Sequence, residues 1–117
     1  MVTGPSLPQF SLTTTDAGSQ VVVAVAGELD IATADRFAAG IREQLAARPV
    51  LLDLHGLSFM DSSGVKALDG LIGEAAREGW SLNLSRHLHD NVRKLLRITG
   101  MLDQLPFQDA PPSQERG

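Results

Sequence analysis

The chain has 117 residues, 43% of them apolar, and a formal net charge of -4. That length suits one domain with a buried core, and the acidic balance leaves no basic footprint for nucleic acid. Cysteine is absent, which excludes disulfides, thiolate chemistry and Cys-ligated metal centres.

The longest apolar runs, VVVAVAG and GLIGEAA, fall far short of the ~20 residues that a membrane span needs. The opening MVTGPSLPQF lacks a basic region followed by a long apolar one, so no signal peptide is read and the cytoplasm is the expected location.

Residues 1–9, with Gly4, Pro5, Ser6 and Pro8, read as a flexible N-terminus. Phe10 to Thr14 reads as a short strand, followed by the turn signal DAGS. QVVVAVAG is a β-branched run with apolar residues of both parities, so it is expected as a strand covered on both faces. These two strands suit a hairpin. Ala34, Phe37, Ala38, Ile41 and Leu45 then recur at helical spacing. Thr33 is the expected N-cap, and Pro49 closes the helix because the residue before a proline avoids helical geometry.

VLLDL reads as the next strand, and the short HGLSFM leads on to DSSG. Helical spacing returns at Val65, Leu68, Leu71, Ile72, Ala75 and Ala76, with Gly79 as the C-terminal stop. WSLNLS alternates, with Leu82 and Leu84 facing one way. Leu88, Val92, Leu95, Leu96 and Thr99 mark a third helix, ended by Gly100. QLPF reads as a short last strand, held to an edge by Pro106. The tail, residues 109–117, is polar and proline-rich and reads as disordered. The order β-β-α-β-α-β-α-(β) argues for an α/β fold with parallel neighbours around the core.

DSSG, Asp61 to Gly64, therefore falls at the start of the second helix, past the end of a strand. Ligand sites in α/β sheets favour that location, and a helix start offers unpaired N–H groups and a positive dipole end. One reading is a plain helix cap by Asp61 or a serine. Another is modification: a phosphate on serine adds roughly -1.5 to -2 charges without breaking the helix, although Asp61 repels it. The two readings coexist if one residue caps and another is modified.

LSFMDSSGV closely resembles the signature of bacterial anti-sigma-factor antagonists of the STAS domain family. VAGELDIATADRF, Val25 to Phe37, is similar to the family's GELD segment and following helix, and VRKLLRITGMLDQLPF, Val92 to Phe107, to its closing helix, Thr-Gly turn and last strand. Three matches in order are far more specific than DSSG alone. The resemblance covers residues 10–108 as one STAS domain. It implies a β/α superhelix with a mixed sheet of four or five strands packed with about three or four helices. It also implies a binding protein without catalysis. The unphosphorylated form would bind an anti-sigma factor serine/threonine kinase and free a sigma factor. Phosphorylation on Ser62 would switch binding off, and a phosphatase would reset it. The domain would be a monomer with no cofactor.

By the same resemblance, the partner-binding residues are Asp30, Asp61, Ser62, Ser63 and Gly64. Phe59 and Met60 are expected mainly in the core, with a minor interface role allowed for Met60. Asp69, Gly70 and SRHLHDN depart from the family's usual pattern and bear on which partner is bound. Two other readings stand beside this one. A STAS scaffold or transport-accessory module would keep the fold without phosphorylation. A serine hydrolase would need a base for Ser62 or Ser63 from His55, His87 or His89, and no G-x-S-x-G elbow is present. His87 and His89 are two apart, which splits them across a helix and gives no metal site.

Overall fold

The computed structural model describes residues 10–108; the two termini read above as flexible lie outside these residues. The elements run β1 (Ser11–Asp16), β2 (Val21–Leu29), α1 (Ala34–Leu45), β3 (Val50–Met60), α2 (Ser62–Glu78), β4 (Leu82–Leu84) and α3 (Asp90–Ile98), followed by a 3-10 turn at Leu102–Gln104. One mixed sheet has the order β1-β2-β3-β4. β1 pairs antiparallel with β2 as a hairpin, while β2–β3 and β3–β4 are parallel. This is the α/β architecture expected from the alternation of elements.

The expected last strand is reduced to one parallel bridge, Leu84 to Phe107. Pro106 has no N–H to donate, and its carbonyl instead accepts from the Leu84 N–H at 2.9 Å. Leu102–Gln104, close before it, coils as the 3-10 turn.

β3 is longer than VLLDL and runs on through HGLSFM to Met60. Two register shifts hide this from a period-two reading. Ala24 and Ala26 pair with Asp53 and Gly56, and Gly27 and Glu28 pair with Leu57 and Phe59. Each shift adds one residue to β3, and each added residue reverses which parity faces the core. Burial therefore goes Leu52, Leu54, Leu57, Met60 instead of alternating. Glycine serves both shifts. Gly27 has φ 105°, a conformation other residues avoid. A Cβ on Gly56 would lie 2.9 Å from the Val25 carbonyl oxygen.

The buried side chains form one core, drawn from every strand of the parallel part and all three helices. Phe37, Ile41 and Leu45 bury the inner stripe of α1, and Leu68, Leu71 and Ala75 that of α2. Each large side chain removed from water contributes about 1.5–3 kcal/mol before entropy is counted. Ala76, read above as part of the α2 stripe, is exposed. On β2, Val21, Val23 and Val25 are buried, but Val22 and Ala24 are only half-buried. The expected cover on both faces is thus complete on one face only.

Candidate functional site

Register brings two acidic turns together. Leu29 pairs with Met60 at the carboxyl ends of β2 and β3, so Asp30 and Asp61 leave adjacent strands side by side. The Asp61 N–H donates to the Leu29 carbonyl at 3.1 Å and ties the two ends.

Asp61 caps α2. One carboxylate oxygen accepts from the Ser63 N–H at 2.9 Å and from the Gly64 N–H at 3.3 Å. These are two of the orphan donors of the helix start. Gly64 is buried between Met60 and Leu29, and a Cβ there would lie 2.7 Å from Met60 Cγ and 2.9 Å from Leu29 Cγ. The glycine therefore lets the first turn of α2 press onto both strand ends.

With capping done by Asp61, neither serine is needed for it. Ser62 is the first helical residue and is exposed, and no hydrogen bond engages its hydroxyl among the described residues. Ser63 is half-buried and lies in a groove between α1 and α2. Of the two readings of DSSG, the cap is supplied by Asp61, and Ser62 is left exposed.

Asp30 organises the β2–α1 turn. Its carboxylate accepts from the Ala32 N–H at 2.9 Å, and its carbonyl from the Ala34 N–H at 2.8 Å. Thr33 precedes α1 but makes no side-chain cap. Its hydroxyl instead accepts from the Asp30 N–H at 3.0 Å and turns back toward the Glu28 carbonyl. The expected Thr33 cap is corrected here: the hydroxyl found closer partners in the tight turn that precedes the helix.

Three large apolar side chains lie exposed around this point: Ile31 (82%), Phe59 (43%) and Ile98 (71%). Ile31 follows Asp30 and borders a groove of about 370 Å3 with Ala34, Asp35, Ser63, Lys66 and Ala67. Phe59 and Ile98 border a second groove of about 390 Å3 with Met60, Asn91, Lys94 and Leu95. The expectation that Phe59 is mainly core is overturned, because the extra β3 residue opposite the Gly27–Glu28 step turns it outward. Met60 is 5% exposed and belongs to the core, yet it also borders the second groove. Ile31 and Ile98 escaped the sequence reading. The signal for Ile98 was an apolar residue next to, and off, the Leu95–Leu96 stripe.

Among the described residues no histidine is hydrogen-bonded to Ser62 or Ser63. His55 lies back along β3, roughly 20 Å of strand from Asp61. His89 is occupied at the start of α3, where its Nδ1 accepts from the Asn91 N–H at 3.3 Å. No group of three or more metal-ligating side chains occurs among the described residues. Nor is any described helix long and apolar enough to cross a membrane.

The family profile of the STAS domain matches residues 11–112. The chain belongs to the STAS domain family. Its fold is shared with the crystal structure of an anti-sigma factor antagonist from Mycobacterium paratuberculosis, at 24% identity, TM-score 0.73 and 87% coverage of each chain. The anti-sigma factor antagonist SpoIIAA in its unphosphorylated form is 25% identical, with a TM-score of 0.67, covering 89% of this chain and 91% of the other. SpoIIAA of Bacillus in its phosphorylated form matches at 24% identity and TM-score 0.62, over 89% and 95%. No curated protein matches the chain.

Proposed function

We propose that this protein is an anti-sigma-factor antagonist controlled by phosphorylation of Ser62. In its unmodified form it binds an anti-sigma factor serine kinase and releases a sigma factor. The kinase phosphorylates Ser62 and the complex weakens, and a phosphatase restores the binding form. The observation that carries this reading is an exposed Ser62 hydroxyl, relieved of capping by Asp61, at a helix start flanked by a mixed groove beside Ile31 and an apolar one beside Phe59 and Ile98. The likeness to both the unphosphorylated and the phosphorylated forms of SpoIIAA supports it.

The arrangement suits a switch. An interface that closes over a neutral hydroxyl excludes water from it. A phosphate placed there adds charge that must be desolvated without a partner. Unpaired interfacial charge typically costs ~2–5 kcal/mol, a loss of about 30-fold to several thousand-fold in affinity. The fold itself need not change, because Ser62 is exposed and outside the core. Asp30, Asp61, Ser63 and Gly64 surround the acceptor. Asp30 and Asp61 fix the two turns, and Gly64 fixes the height of α2 on the strands.

The test is intact-mass spectrometry after incubation with ATP and candidate anti-sigma kinases, on wild type, Ser62→Ala and Ser63→Ala. One added phosphate, lost only in Ser62→Ala, is expected. Loss only in Ser63→Ala moves the acceptor by one residue. A kinase that binds the protein and leaves it unmodified overturns the switch in favour of a plain interaction module.

A further inference from the structure

A phosphate on Ser62 gains from a nearby cation, because two of the N–H groups that a helix start offers an anion are already engaged. The Ser63 and Gly64 N–H groups are already taken by the Asp61 carboxylate. Asp61 and Asp30 add negative charge on the adjacent strand ends, and Asp35 borders the α1–α2 groove. A dianion would displace the cap or find a side chain.

Lys66 is placed for this. It lies four residues after Ser62 on α2, so the two share a face with about 5–6 Å between their Cβ atoms. Helical side chains lean toward the N-terminus, which carries the Lys66 stem toward Ser62. Lys66 is exposed, borders the same groove as Ser63, and makes no ion pair among the described residues. The next cation on α2 is Arg77, in its last turn. Lys94 borders the other groove, on α3.

We propose that Lys66 receives the phosphate of Ser62, holding it along the α2 face and leaving the Asp61 cap intact. It acts as a positioning residue for the modified state and is not required in the unmodified one. This rests on Ser62 being the acceptor, and it adds where the phosphate goes. Lys66 also offsets the repulsion from Asp30, Asp35 and Asp61, which would otherwise oppose the second ionisation of the phosphate.

The test uses the full chain with phosphoserine installed at position 62 during synthesis, so that no kinase is needed. The phosphorus NMR signal is followed against pH. In Lys66→Gln the midpoint of the second ionisation should rise by about 0.2–0.4 pH, because the dianion has lost its cation. Lys66→Arg should restore the wild-type midpoint, and Lys94→Gln should leave it in place. An unchanged midpoint in Lys66→Gln, or an equal rise in Lys94→Gln, overturns the assignment. Failure of every anti-sigma kinase to modify Ser62 overturns the proposed function instead, while the titration still decides the role of Lys66.

Discussion

The two ends of the parallel strands differ in how their surfaces are finished. At the amino end, polar groups satisfy one another. Arg48 reaches from the end of α1 to the β1–β2 turn, donating to the Asp16 carboxylate at 3.0 Å and the Gly18 carbonyl at 2.6 Å. Arg42 of α1 pairs with Glu74 of α2 at 2.8 Å. At the carboxyl end, the charged turns are satisfied locally, but Ile31, Phe59 and Ile98 stand out in water around an unengaged hydroxyl. Exposed apolar groups lower stability and solubility without return in an isolated domain, and clustered ones mark interaction sites. One end is finished by the chain itself; the other keeps three large apolar side chains in water, where the proposed partner would dock.

That contrast can be broken in graded steps. Gly64→Ala should have the largest effect. Its Cβ would crowd Met60 and Leu29 within 3 Å, so overpacking of about 1–3 kcal/mol is expected in chemical denaturation. An unchanged midpoint would mean that the α2 start floats free of the strands.

Ile31→Asp separates stability from recognition. With the side chain 82% exposed, thermal melting should stay within ~0.5 kcal/mol of wild type. Affinity for the anti-sigma kinase should fall by more than ~1 kcal/mol if Ile31 is an anchor. Equal affinity measured by calorimetry would remove the α1–α2 groove from the interface.

Asp61→Ala should lower stability by ~1 kcal/mol through loss of the α2 cap, with Asp61→Asn nearly neutral. If both variants behave alike, the charge matters and not the acceptor geometry.

The smallest effect belongs to the finished end. The hydrogen bond from the Arg48 guanidinium, aided by the Gly18 N–H and the Arg48 charge, holds the Asp16 carboxyl below the usual carboxylate range. A folded-state pKa below the unfolded one adds stability above the unfolded value, and this is lost as pH falls through the folded one. Asp16→Asn should therefore melt slightly lower at neutral pH and match wild type in strong acid. Because the pair is exposed, added salt should shrink the difference further. A difference that persists in strong acid would point to the turn and not the ion pair.

Much of the architecture was written locally. The order of strands and helices follows from hydrophobic period and from punctuation by Pro49, Gly79 and Gly100, since these act over a few residues. A cap from DSSG, which the structure assigns to Asp61, and the stops Gly79 and Gly100 with φ 76° and 80° belong to the same class. The STAS family was also legible, from three segments in order. What needed the tertiary structure were features set by neighbours far along the chain. β3 extends to Met60 because it pairs along β2 while carrying two extra residues of its own, a pairing that alternation within β3 cannot reveal. The same shifts decide that Met60 turns in and Phe59 turns out. That Gly64 packs against Leu29, thirty-five positions earlier, is visible only in the folded chain. Local energies fix each element, but which side chains stay in water depends on register and packing between strands and helices distant in sequence.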